Sequence, residues 1–185
     1  MARGIIIFGS AGSGKTALGR AVAERLGYPY FDIDDYIWRK DTAIPFTSMY
    51  AREEKAERLM HAITPTDHFV MAGSMDSFNA PFVPLFDLAA HINADATIRQ
   101  ARLHQREWRI YGERILKGGD MYEEHQRFLD SAARYDADGS PCLKTHLEWA
   151  SSLPCKVIYL NGEENMDINA ERIIKEYFTV ITSKI

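Results

Sequence analysis

Cysteine is scarce in this chain: Cys142 and Cys155 are the only two among 185 residues, far apart and outside any metal-ligand spacing. Two isolated thiols argue against a disulfide framework or a thiolate metal site. Long apolar runs are missing too. The longest, Ile5 to Phe8 and Val157 to Leu160, have strand length, far below the ~18 residues a membrane span needs. There is no excess of basic charge, since 22 Lys and Arg against 26 Asp and Glu leave a formal charge of -4. That balance argues against a broad nucleic-acid-binding surface. Repeats and low-complexity tracts are absent, and the first residues pass from one charge through an apolar stretch into glycines, without the cleavage-type segment of a signal peptide. The expectation is a cytoplasmic globular protein, monomer or homodimer, with neither membrane nor nucleic acid as partner.

What is present is one domain's worth of alternating pattern, residues 1–185. Apolar residues make up 46% and charged residues 26%, and a chain of this length buries roughly 70% of its unfolded surface around one core. Strands are expected at "GIIIFG", "YPYFDID", "HFVMAGS", "LAAHINA" and "CKVIYLNG", and helices at "KTALGRAVAERLG", "YAREEKAERLMHAI", "ADATIRQARLHQREW", "MYEEHQRFLDSAARYD" and "INAERIIKEYFT". His146, in "KTHLEW", also falls in a helical pattern. Strands that are continuous apolar runs, alternating with helices, imply an α/β fold: a parallel sheet with helices on both faces. Ligands of such sheets sit at the carboxyl ends of the strands. Tyr111 to Gly119, polar and glycine-rich between two helices, is the candidate flap.

After the first apolar strand comes Gly9-Ser10-Ala11-Gly12-Ser13-Gly14-Lys15-Thr16, followed by Ala17. This run matches G-x-x-x-x-G-K-[ST] at every fixed position. Gly9, Gly12 and Gly14 can take backbone angles that turn successive N–H groups inward around a phosphate chain, helped by the helix N-terminus that follows. Lys15 would reach the β- and γ-phosphates of ATP, and the Thr16 hydroxyl would ligate Mg²⁺. The loop is a nucleotide cradle, which GTPases, motors, transporters and small-molecule kinases share.

The acidic element that discriminates among them does not follow the third strand, where the chain reads Gly73-Ser74. It follows the second, as Asp32, Asp34 and Asp35. In an extended chain Asp32 and Asp34 point to the same face, and two adjacent carboxylates repel unless a cation or an acceptor's hydroxyl lies between them. Asp32 would hold water on Mg²⁺, and Asp34 would orient the acceptor hydroxyl and take its proton. Arg99, Arg102, Arg106 and Arg109 are spaced 3, 4 and 3 along one helical stripe, with Arg114 beyond them. Such like-charged neighbours need anionic compensation. For Arg99 alone a solvated face with partners such as Glu107 and Glu113 is expected. Among Arg102, Arg106, Arg109 and Arg114, a guanidinium closing from a lid would neutralise the transferring phosphoryl group, and one could stack on adenine.

"GSAGSGKTALGRAVAERLGYPYFDIDDYI" resembles the opening of shikimate kinase-type enzymes, in the nucleoside-monophosphate-kinase-like branch of the P-loop proteins. The resemblance is strong over residues 4–37 and architectural beyond. It implies a three-layer fold with a five-stranded parallel sheet in order 2-3-1-4-5, a lid at about 106–120 and an acceptor-binding helical region at about 36–66. By that resemblance Asp32 is the Mg²⁺-associated acid, Asp34 the acceptor-binding acid, and Gly73 and Ser74 lie in the acceptor-binding turn. Asn161 and Gly162 follow strand five, where the family contacts adenine through backbone. Arg39, Lys40 and Arg52 could pair with an acceptor's carboxylate or phosphate. Tyr36, Trp38, Phe46, Tyr50, Phe78 and Phe82 border the acceptor side, most of them as core or loop anchors.

The function expected is an ATP- and Mg²⁺-dependent kinase that phosphorylates a small metabolite. The alternatives are a nucleoside monophosphate kinase and an ATP-binding switch protein that hydrolyses ATP slowly.

Overall fold

In the computed structural model, which describes residues 2–183, the chain forms β1 (Arg3–Gly9), α1 (Lys15–Leu26), β2 (Tyr30–Asp32), α2 (Asp34–Ile37), α3 (Arg52–Ile63), β3 (His68–Ala72), β4 (Phe86–Asn93), α4 (Ala96–Tyr111), α5 (Tyr122–Ala133), α6 (Leu143–Ser152), β5 (Lys156–Asn161) and α7 (Met166–Thr182). The sheet is wholly parallel, in the order β2-β3-β1-β4-β5. Fold class and strand order agree with the reading from sequence.

The apolar runs explain the three layers. Ile5, Ile6, Ile7 and Phe8 of β1 have no exposed surface, and successive side chains go to opposite faces. Ile6 and Phe8 pack with Leu59 and Ile63 of α3 and Ala150 of α6. Ile5 and Ile7 pack with Leu18 and Val22 of α1 and Ile173 and Tyr177 of α7. Gly27 closes α1 in the left-handed conformation, its N–H bonded to Ala23 and Glu24 carbonyls. Asp95 and Asn165 cap α4 and α7 by accepting from Thr97 and Asp167 backbone N–H groups at 2.8 Å and 2.7 Å.

Three differences from the sequence reading bear on the site. The second strand ends at Asp32, and the chain turns at once into the four-residue α2, so Asp32 and Asp34 are related by a strand-to-helix turn rather than by strand alternation. α4 runs on to Tyr111, past the helix expected to end at Trp108, so Arg106 and Arg109 lie on the expected helical stripe and α4 reaches into the start of the candidate flap. The flap is a compact 3₁₀ turn, Gly112–Ile115, with Ile115 buried and the Arg114 carbonyl accepting from Met121 N–H at 3.0 Å.

Candidate active site

The sheet order places the informative positions side by side at one edge: Asp32 at the end of β2, Gly73 and Ser74 after β3, the glycine loop after β1, Asn93 at the end of β4 and Asn161 at the end of β5. Gly9, Gly12 and Gly14 have φ values of 143°, 78° and 102°. A Cβ on Gly9 would lie 1.9 Å from the Ile92 carbonyl oxygen, and one on Gly12 would lie 2.6 Å from that of Arg99, so these glycines are required by packing as well as by dihedral angle. The Ser10 carbonyl accepts from the Ser13 hydroxyl at 2.8 Å and from Lys15 Nζ at 2.7 Å. Ser10 Oγ donates to Asn93 Oδ1 at 2.5 Å. Ala11 completes the loop, and Thr16 and Ala17 are exposed in the first turn of α1.

Around Lys15 the charges share one field. Burial pushes its ammonium down to about 8, opposed by Asp34 and Asp32 and reinforced by Arg106 and Arg99. Asp34 is open to solvent at its surface, yet desolvation by the protein packed around it, then Asp32, raises its carboxyl above the usual range against the pull of Lys15 and Arg106. The Asp34 N–H donates to Asp32 Oδ1 at 3.3 Å. Tyr30 stands beside both metal candidates: its hydroxyl donates to Asp32 Oδ2 at 3.2 Å, and Thr16 is near enough to act on the phenol. Burial and then Asp32 raise the phenol, while Thr16 opposes them. Thr16 and Asp32 are therefore within the span of one side chain. This sparse oxygen set suits Mg²⁺, which keeps most of its shell as water and phosphate. Among the described residues no cluster of three His, Cys, Asp or Glu could hold a metal by itself.

The five arginines occupy different environments. Arg99 is 1% exposed, not solvated. It pairs with Asp136, approaches Asn93 Oδ1 at 3.5 Å and lies 5.0 Å above the Tyr135 ring. Helical spacing identified the stripe but could not show that its first member turns inward. Arg102 donates to the Gly162 carbonyl at 2.9 Å, and Gly162 in turn donates to the Asn93 carbonyl at 2.7 Å. A Cβ on Gly162 would meet the Ser13 carbonyl oxygen at 2.5 Å, so the β5 loop packs directly on the glycine loop. Arg106 is exposed, within the field of Lys15 and Asp34, and lies 5.7 Å from the Phe128 ring. Arg109 is exposed, and Arg114 forms a bidentate pair with Asp120 at 2.9 Å and 2.8 Å.

Two hollows flank this cluster. A groove of about 650 Å³, lined by Asn93, Asp95, Asp136, Tyr159, Asn161 and Glu163, opens at the ends of β4 and β5. A smaller recess of about 230 Å³ opens at α2, lined by Asp34, Asp35, Trp38, Arg39, Lys40 and Phe46 among others. There Arg39 is held by Asp41 at 3.0 Å and 2.7 Å, and Lys40 by Asp35 at 2.8 Å. Trp38 and Phe46 meet edge to face with centroids 5.8 Å apart. Phe78 and Phe82 belong to the core. Arg52 opens α3, exposed and without a hydrogen-bond or ion-pair partner among the described residues. Gly73 has φ 136° and no room for a Cβ against Ile33, 2.7 Å away. Ser74 Oγ lies 3.1 Å from His146 Nε2, a partner that sequence distance concealed.

The model of the AAA domain family matches residues 5–127. The Bacillus subtilis (strain 168) protein YqaC, itself uncharacterized, is 28% identical over 176 residues, which covers 94% of this chain and 97% of YqaC. Shikimate kinase 2 of Sodalis glossinidius (strain morsitans) is 44% identical over 160 residues, with 76% of this chain and 88% of that protein covered. Among solved structures, shikimate kinase from Acinetobacter baumannii in complex with shikimate superposes with a TM-score of 0.55 at 18% identity, over 97% of this chain and 94% of that one. With a glycine cradle matched in sequence and geometry, a 2-3-1-4-5 parallel sheet and these relatives, the chain belongs to the AAA-domain P-loop NTPases, on their branch of kinase-like proteins for small molecules.

Proposed function

We propose that this protein is a kinase that uses ATP and Mg²⁺ to phosphorylate a small metabolite. The observation that carries the reading is the single electrostatic cluster of Lys15, Asp32, Asp34 and Arg106, which gathers a phosphate-binding cation, two carboxylates and a lid-side guanidinium. A hydrolytic switch has no need for a carboxyl raised in pKa at the edge of a recess. A general base has that need, because proton transfer is most effective when its pKa approaches the working pH.

In this reading Gly9 to Ala17 wrap the phosphates, while Lys15 and Arg106 stabilise charge on the transferring group. Arg109 and Arg114 are the further lid arginines. Thr16 and Asp32 would hold Mg²⁺, which neutralises phosphate charge when bound. Arg102 fixes the Asn161–Gly162 loop beside the base groove. Asp34 accepts the acceptor's proton, and Gly73, Ser74 and Arg52 border the acceptor. With Arg39 paired to Asp41 and Lys40 to Asp35, Arg52 is left, among the described residues, as the unpaired cation beside the acceptor, and one cation against Asp32 and Asp34 favours a hydroxyl acceptor over the phosphate of a nucleoside monophosphate.

The test is ADP formation from Mg·ATP with a panel of shikimate, gluconate and other sugar acids, nucleosides and nucleoside monophosphates. We expect one class to raise turnover well above basal hydrolysis, and both Lys15→Ala and Asp34→Asn to remove the increase. Turnover that no acceptor raises, unchanged by Asp34→Asn, would instead support the switch reading.

A further inference from the structure

Beneath the glycine loop a chain of hydrogen bonds joins four side chains remote in sequence. His91 Nε2 lies 3.1 Å from the Tyr135 hydroxyl, that hydroxyl lies 2.8 Å from His146 Nδ1, and His146 Nε2 lies 3.1 Å from Ser74 Oγ. His91, Tyr135 and His146 are 4%, 3% and 5% exposed, whereas Ser74 is only partly buried on the loop after β3. Phe8 closes the sides, its ring 5.2 Å from that of His91, 5.5 Å from that of His146 and 4.7 Å from that of Trp149.

The direction of this chain is set toward the cleft. β3 lies between β2 and β1, so Ser74 stands between the aspartates and the glycine loop. Lys15 is close enough to act on both imidazoles; burial, then that cation, holds His91 down to about 4, and burial, then His91 and Lys15, holds His146 down to about 4, so both are neutral at physiological pH. A neutral imidazole donates at one nitrogen and accepts at the other, and a tyrosine hydroxyl has a single proton to give. Tyr135 therefore donates to one histidine and accepts from the other, and His146 carries that polarity on to Ser74. The serine hydroxyl is thereby held by His146 instead of turning freely: if it donates to His146 it can only accept on the cleft side, and if it accepts it keeps its own proton to donate. Three buried polar side chains are a costly support for a serine that water alone could satisfy.

We propose that His146 is a positioning residue for the phosphoryl acceptor: backed by Tyr135 and His91, it fixes the Ser74 hydroxyl as the acceptor's second polar contact, across from Asp34. This rests on the kinase reading above. It restricts the acceptor to a molecule with a second polar group beside the hydroxyl that is phosphorylated.

The experiment is steady-state kinetics with whichever panel acceptor stimulates the wild type, for Ser74→Ala, His146→Phe, His146→Gln and the Ser74→Ala/His146→Phe double variant. We expect Ser74→Ala and His146→Phe each to raise the acceptor KM about tenfold, with the KM for ATP changed less than about twofold. The double variant should be no worse than either single one, because one interaction is removed once. Gln at 146, which keeps a hydrogen-bonding group near the Nε2 position, should restore most of the loss. Ser74→Ala alters only a partly exposed loop, so it reports even if His146→Phe fails to fold. Additive effects, or an unchanged acceptor KM in Ser74→Ala, would overturn the proposal while leaving the kinase reading intact. An unstimulated wild type would remove the kinase reading and the proposal with it.

Discussion

Arg99 and Arg39 are built alike and placed differently. Each pairs with an aspartate, Asp136 or Asp41, and each lies over a tyrosine ring, at 5.0 Å and 5.4 Å. Arg99 is 1% exposed and knits Asn93 and the glycine loop to the core, whereas Arg39 is exposed and knits a surface loop to itself. Asp136 is exposed, but Arg99 is not, so taking away Asp136 would leave a buried guanidinium poorly solvated, whereas an exposed pair contributes little. In the proposed reading the nucleotide flank is thus fixed by the fold, and the acceptor flank is held by contacts weak enough to rearrange around a ligand.

That contrast can be broken or sharpened by substitution. Lys15→Ala should lower acceptor-dependent kcat about a thousandfold, as loss of a preorganised charge on the transferring group does. Asp34→Asn should lower it about a hundredfold through loss of the base. Asp136→Asn should cost about 2 kcal/mol in urea unfolding, because it strands the buried Arg99 charge, whereas Asp41→Asn, which frees the exposed Arg39, should stay within about 0.5 kcal/mol. Equal losses would erase the distinction between the flanks.

Two smaller effects concern titration. With Lys15 down to about 8, the dissociation constant for ATP should rise above pH 8 by up to about tenfold per pH unit, measured by calorimetry, and Lys15→Ala should remove that slope. Between about 8 and the ordinary lysine value the unfolded chain still holds the proton that folded Lys15 has lost, so fold stability from this residue rises with pH in that window. Asp34 has the opposite balance. Its raised carboxyl means that the folded chain holds the proton longer, so its contribution falls as pH rises through the folded value. Asp34→Asn should therefore stabilise the fold slightly at pH 7, by a few tenths of a kcal/mol in urea unfolding after solvent screening, even as it lowers activity.

The glycine cradle, the five strands and the acidic pair were legible because each is encoded within a few consecutive residues: Gly9 to Thr16, the apolar run of β1, and Asp32 with Asp34. What was illegible depends on distant neighbours. The stripe from Arg99 to Arg109 reads as helix, but nothing in the spacing says that Arg99 meets Asp136 and Tyr135. His91, Tyr135, His146 and Ser74 form one network only because β3, β4, the turn after α5 and α6 converge. α2 was hidden within an alternation that resembled strand, since Asp32 and Asp34 fit a period of two until the backbone at Ile33 turns helical, with φ −62° and ψ −32°.

The most direct measurement is the fate of label from [γ-³²P]ATP incubated with the stimulating acceptor and either the wild type or Asp34→Asn. The kinase account predicts label in a small organic product for the wild type and about a hundredfold less for the variant. Label released only as inorganic phosphate, at equal rates from both proteins, would contradict it.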